Sequence, residues 1–215
     1  MELRDKNGLT EAEFLARYTE KAYPKPSVTA DIVVLARCRE DVRLLLVRRG
    51  GHPYLGCWAL PGGFANPNEP LEATAARELA EETGLQGLPL EPVGLFSTPG
   101  RDPRGWVLSQ AYVSMLSPQR LSEARAGDDA AAAVWFTVRL PQAGCTPDAG
   151  ADSALQLVGP AGETVSLAYR AARVPGIAGE RLVYLPPKAP VGAPRLAFDH
   201  DGILLCALQR AGLLP

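Results

Sequence analysis

The sequence predicts an α/β fold in which helices cover a mixed β-sheet. Three observations carry this reading. Two β-branched and leucine-rich runs, "VTADIVVLAR" (28–37) and "VRLLLVRR" (42–49), flank the charged "CRED"; a helical apolar period follows them; and strand signals then resume.

Taken in order, Thr10 followed by Glu13 is a capping-box pattern. With Phe14, Leu15 and Tyr18 behind it, it predicts a short helix over about residues 10 to 19, which "YPKPS" breaks. The two apolar runs form an antiparallel hairpin with one strongly buried face. A glycine and proline loop, "GGHPYLG", leads to "CWALPGGF", after which the period changes from two to helical. Asn68 is placed to cap this helix and Pro70 sits in its first turn, where a missing N–H costs little. Leu71, Ala75, Ala76 and Leu79 form its apolar stripe, and Gly84 stands where a terminating glycine is expected.

Further strands are expected at "PVGLFST" (92–98), "WVLSQAYVSML" (106–116) and "AAVWFTV" (132–138), with Trp106 beginning a core strand. The chain is loop-like from 139 to about 152. "ALQLVGPAGETVSLAY" alternates around "GPAGE" as an added hairpin, and a helix over about 199–211 follows. Residues 1–27 thus read as an N-terminal helical extension, and 28–215 as one domain with an insertion at about 139–195.

The 215 residues, 47% hydrophobic and 21% charged, suit an ordinary globular chain. A formal charge of −2 gives no general footprint for nucleic acid, so no such partner is expected. The polar, acidic start is unlike a signal peptide and no apolar run reaches the length of a membrane span, which points to a soluble cytoplasmic protein without a membrane partner. Cys38, Cys57, Cys145 and Cys206 lack metal-type spacing, and neither His52 nor His200 is assigned to catalysis, since a lone histidine is more often a satisfied structural side chain.

The chemistry concentrates in "GGFANPNEPLEATAARELAEETGL" (62–85). Residues three and four apart share a helix face, so Glu78, Glu81 and Glu82 project together with only Arg77 to offset them. A divalent cation relieves such repulsion, and hard oxygen donors suit Mg²⁺, or Mn²⁺, with coordination left over for water and phosphate oxygens. A merely solvated acidic face is the competing reading of those residues alone.

From Gly63 the spacing decides between them. Gly63, five residues, Glu69, seven residues, Arg77-Glu78-Leu79, one residue, Glu81-Glu82, one residue, Gly84-Leu85 resembles the Nudix box of the Nudix hydrolase family at every defined position. With seven fixed identities, at about one in fifteen each, chance agreement is roughly one in 10⁸ per starting point. The resemblance extends over about residues 28–138, and "SVTADIVVL" and "LAFDH" also look like segments of bacterial Nudix proteins. It implies an α/β/α sandwich with a mixed sheet, and cleavage of a nucleoside diphosphate linked to a further group.

Carried over by position, the resemblance makes Glu78 and Glu82 principal metal ligands, Glu81 a ligand or close neighbour of the metal shell, and the Gly62 carbonyl a further ligand, beside the turn residue Gly63. Glu69 and Arg77 form the supporting network. The base that takes the proton of the attacking water is Glu81 or Glu82 within the box, or an acid in a later loop; "RAGDDAAAAVW" offers Asp129, with Asp128 next to it.

Outside the box, Arg101 and Arg104 flank the turn of "PGRDPRG", and an arginine fork can hold a diphosphate. This loop, together with Pro99, looks like that of ADP-ribose pyrophosphatases. The expected substrate is ADP-ribose or a related NDP-sugar, with a (d)NTP or dinucleoside polyphosphate as alternatives. The competing class is a nucleotide-sensing Nudix regulator, which commonly has an eroded box and a basic winged helix; here the box is complete. Exposed hairpin edges in the insertion make a homodimer a further option.

Overall fold

In the computed structural model, residues 2–39, 41–127, 130–140, 152–177, 179–185 and 196–214 are described. The described strands are β1 (Ser27–Arg37), β2 (Val42–Arg49), β3 (Trp58–Ala59), β4 (Gly62–Phe64), β5 (Glu91–Phe96), β6 (Val107–Leu116), β7 (Ala130–Arg139), β8 (Asp152–Val158), β9 (Thr164–Gly176) and β10 (Gly179–Leu185). The helices are α1 (Glu11–Arg17), α2 (Leu71–Thr83) and α3 (His200–Arg210), with a 3-10 turn at Pro118–Glu123. One sheet runs in the order β10-β9-β8-β7-β2-β1-β6-β5, with β3 attached to β2 and β4 to β1. The β1–β6 pair is parallel and the others are antiparallel, so the sheet is mixed as expected.

The unbroken apolar run of β1 is explained by cover on both faces. Ala30, Ile32, Val34 and Ala36 point toward α2, where Ala75 and Leu79 complete a core with Leu45, Tyr112 and Leu116. Val33 and Leu35 point the opposite way, into a larger core closed by Ile203, Leu204, Ala207 and Leu208 of α3. Period two in the strand and period 3.6 in each helix therefore meet at both interfaces.

β1 and β2 pair only at their turn end, from Arg37↔Val42 to Leu35↔Leu44. Beyond it they diverge. β1 takes up β4, with Asp31 opposite Gly62, and β2 takes up β3, with Arg48 opposite Trp58. This fork receives the glycine turn and sets it against the N-terminal half of β1.

Several expectations are corrected in detail. The position before α2 is Pro70, whose fixed φ of −61° starts the helix, whereas Asn68 adopts a left-handed φ of 65° upstream and does not cap it. Ala76 is exposed; the buried stripe of α2 is Thr74, Ala75, Leu79 and Thr83. Trp106 is 57% exposed; it stands one residue before β6, whose burial begins at Val107. The added hairpin is present as β8–β9, Leu155 opposite Leu167, and a third strand, β10, extends it. α1 has the expected capping box, yet buries none of its residues. Among the described residues no helix is long and apolar enough to cross a membrane.

Candidate active site

The fork between β1 and β2 opens into a cleft of about 490 Å³, within the range of small-molecule sites. Gly62, Gly63, Arg77, Glu78 and Glu82 line one side, and Arg48, Arg49, Arg101, Arg104, Phe198 and His200 line the rest. Acidic and basic walls thus face a common space.

Two glycines are required by distance. Gly62 has φ 152°, and a Cβ there would stand 2.2 Å from the Ala30 carbonyl oxygen and 2.8 Å from Asp31 Oδ1. At Gly63 a Cβ would lie 2.4 Å from the Glu78 carboxylate, so the turn presses directly on the acidic helix face. The Gly62 N–H donates to Glu82 Oε2 at 3.0 Å, tying the turn to the far end of that face.

Arg77 joins the acids. Its Nε donates to Glu69 Oε1 at 2.9 Å, and Nη1 donates to Glu78 Oε1 at 2.7 Å and Glu81 Oε2 at 3.1 Å. Nη2 donates to Glu69 Oε2 and to the Phe64 carbonyl, both at 3.0 Å. Glu69 also accepts from Asn66 N–H and Thr74 Oγ1. The hydrogen bonds from Arg77 pull the Glu69 carboxyl down to about 2 and hold the guanidinium firmly protonated. Glu69 and Arg77, singled out from the sequence, are therefore brought into direct contact.

Burial acts in the same direction on the two inner carboxylates. It pushes Glu82 up to about 7 despite the Gly62 N–H, with Glu78 and Asp31 adding repulsion, and it also raises Glu78 against the pull of Arg77. Glu81 is exposed, and its carboxylate pairs with Arg77. Among the described residues no three acidic, histidine or cysteine side chains converge ready-made on a point. Like charges spread apart, Glu78 and Glu81 onto Arg77 and Glu82 onto the Gly62 amide. The donor set nonetheless fits a hard divalent cation: close carboxylates that burial makes costly to ionise, beside a turn with no side chain to obstruct approach.

The two arginines read from "PGRDPRG" are placed differently from each other. Arg104 lines the cleft, held by Asp102 (Nη2 to Oδ2, 2.7 Å), with its guanidinium 4.8 Å from the Phe64 ring centre and 5.5 Å from that of Phe198. Arg101 has a side chain only 4% exposed, and it forks onto Asp199 through Nε (2.9 Å) and Nη2 (2.6 Å). Both guanidinium forks are engaged by carboxylates of the protein, Arg101 by Asp199 and Arg104 by Asp102, and Arg104 is the more exposed of the two.

Sequence reasoning missed Asp31, Asp199 and Arg49 and set His200 aside. Asp31 is the lone charge within the buried run of β1, which is the available signal, since an acid there must be paired. His200 is satisfied, as a lone histidine was expected to be, accepting the Leu60 N–H at Nδ1 (2.9 Å), but it does so at the wall of the cleft. Arg49 lies 4.9 Å from the Phe198 ring centre. Asp128 and Asp129 lie outside the described residues. Gly127, immediately before them, donates its N–H to the Glu82 carbonyl at 2.9 Å, and a Cβ there would collide with the Glu81 carbonyl.

Comparisons agree with this geometry. The model of the NUDIX domain family matches residues 26–152. An ADP-ribose pyrophosphatase of Methanocaldococcus jannaschii is 38% identical over 54% of this chain and 64% of its own. An ADPR-responsive transcriptional repressor, NtrR, of Acinetobacter baylyi is 35% identical over 52% of this chain and 45% of its own. The chain thus spans about half to two-thirds of the length of these curated relatives. The crystal structure of a MutT/nudix family protein from Enterococcus faecalis superposes with a TM-score of 0.72 at 32% identity, covering 95% of this chain and 70% of that one.

Proposed function

The chain belongs to the Nudix family, and on that premise we propose that it is a Mg²⁺-dependent pyrophosphohydrolase that cleaves ADP-ribose, or a closely related NDP-sugar, to a nucleoside monophosphate and a sugar phosphate. The observation that carries this is the contact between Gly63 and the Glu78 carboxylate, with Glu82 anchored on the neighbouring Gly62 amide. The ADP-ribose pyrophosphatase relative supports the substrate class.

Glu78, Glu82 and the Gly62 carbonyl would hold the cation, with Glu81 beside them. When bound, it supplies charge neutralisation for the diphosphate and a more acidic water. The remaining tasks fall to side chains. Arg77 fixes Glu78 and Glu81 in direction, and Glu69 keeps Arg77 in place. Arg104, facing the acids across the cleft, is the side chain we assign to the diphosphate; its stacking on Phe64 and Phe198 presets its direction. Asp129 or Asp128 would take the proton of the attacking water, a role to which the Gly127 anchor on Glu82 lends support; Glu81 and Glu82 are the alternatives.

The experiment is a Mg²⁺-dependent screen of ADP-ribose, NDP-sugars, NADH, dinucleoside polyphosphates and (d)NTPs, with Mn²⁺ in parallel. Glu82→Gln should lower turnover at least ~100-fold; equal turnover by that variant sinks the metal assignment. A second reading, an ADP-ribose-sensing regulator, is favoured by the similarity to the Acinetobacter baylyi repressor. Micromolar ADP-ribose binding with no turnover of any substrate would select it.

A further inference from the structure

The buried polar groups in the cleft wall use residues far apart in sequence. Asp31 Oδ2 accepts from Ser109 Oγ and, at 3.5 Å, from Arg101 Nη2. Asp31 Oδ1 lies 3.5 Å from His200 Nε2. Arg101 in turn grips Asp199, the residue before His200. Because His200 Nδ1 accepts the Leu60 N–H, its own proton sits on Nε2 and faces Asp31. One carboxylate thus faces one imidazole, and that imidazole accepts from one backbone amide.

This amide belongs to the strip that carries the glycine turn. Leu60 is held by His200, the Pro61 carbonyl accepts from the Ile32 N–H at 2.8 Å, and the Gly62 amide orients Glu82. On the other side, the Ala197 N–H donates to the Trp58 carbonyl at 2.8 Å, so the segment before α3 clamps both ends of "WAL". Gly62 itself packs against Asp31 with no room for a Cβ. The strip is therefore located by β1 on one side and by residues 197–200 on the other.

We propose that Asp31, Arg101, Asp199 and His200 are positioning residues for the reaction, acting through the Leu60–Gly62 backbone on Glu82. Their polar atoms are engaged with one another and with the backbone, so the role assigned is positioning although Asp31, Arg101 and His200 border the cleft. The inference rests on the reading above for its kinetic effect, and on geometry alone for its effect on the strip. It also accounts for the burial of Arg101, whose fork serves the protein.

The test compares His200→Leu, which removes the acceptor at similar volume, with His200→Asn, whose Oδ1 can replace Nδ1. Amide exchange is followed by NMR in the metal-free protein, and kinetics are measured with Mg²⁺. In His200→Leu the Leu60 amide should exchange at least ~10-fold faster while α2 amides keep their protection. Its kcat should fall roughly 10–100-fold with KM within about twofold of wild type. His200→Asn should restore most of both. Unchanged Leu60 exchange in His200→Leu overturns the proposal, as does a raised KM with wild-type kcat, which would mean direct substrate contact. If wild type turns over no substrate, the functional reading fails while the exchange comparison still decides the network.

Discussion

At the scale of single residues, absent side chains matter as much as present ones. Gly63→Ala places a methyl group 2.4 Å from the Glu78 carboxylate, so that carboxylate or the turn must move. Turnover should drop at least tenfold with the far-ultraviolet spectrum unchanged, as expected when supporting geometry shifts. His200 makes the opposite kind of case. Burial lowers its pKa, with Arg101 and Arg49 reinforcing the effect and Asp31 and Asp199 opposing it. The neutral imidazole is therefore the folded form. The unfolded chain takes up a proton near pH 6.5 while the folded one does not, so this contribution to stability is present above about pH 6.5 and is lost as the pH falls through the lower folded value. NMR should show the His200 imidazole titrating below the range of an unfolded histidine, and urea unfolding midpoints should decline as the pH falls below about 6.5.

At the scale of elements, α2 divides its faces between core and chemistry. Leu79→Ala, at a position 2% exposed between the helix and β1, should cost about 2–5 kcal/mol in urea unfolding. Ala76→Glu, on the exposed side, should stay within about 0.5 kcal/mol. The contrast also shows where sequence reading succeeds. The strands, α2 and the box were legible because each is a local pattern with a single period, and Gly84 ends α2 in the left-handed conformation expected of it, with φ 72°. β10 was missed because its run is short, although the glycines around "GIAG" marked the turn before it. The network behind the cleft was not legible as a unit. Asp31 and Arg101 read as isolated charges, and only the pairing of β1 with β4 and the docking of residues 197–200 bring them together. Trp106 failed for a simpler reason, since an apolar run does not show at which residue its burial begins.

At the scale of the whole molecule, the acidic face carries a stability cost that a bound cation would offset. At free Mg²⁺ about 100-fold above its dissociation constant, stability should rise by about 2.7 kcal/mol, visible as an increase in Tm. The increase should vanish in Glu78→Gln and Glu82→Gln. A shift that persists in both variants would place the cation elsewhere.

The docking of residues 197–200 onto the β3–β4 strip also bears on the order in which the molecule is made. During synthesis every box residue emerges well before His200, by an interval on the order of ten seconds at roughly 5–20 residues per second. A nascent chain can thus complete its acidic helix and glycine turn while the strip between them and β1 still lacks its clamp. Competence would then arrive as a late event in translation, so chains released early should fold much of the sheet yet remain inert.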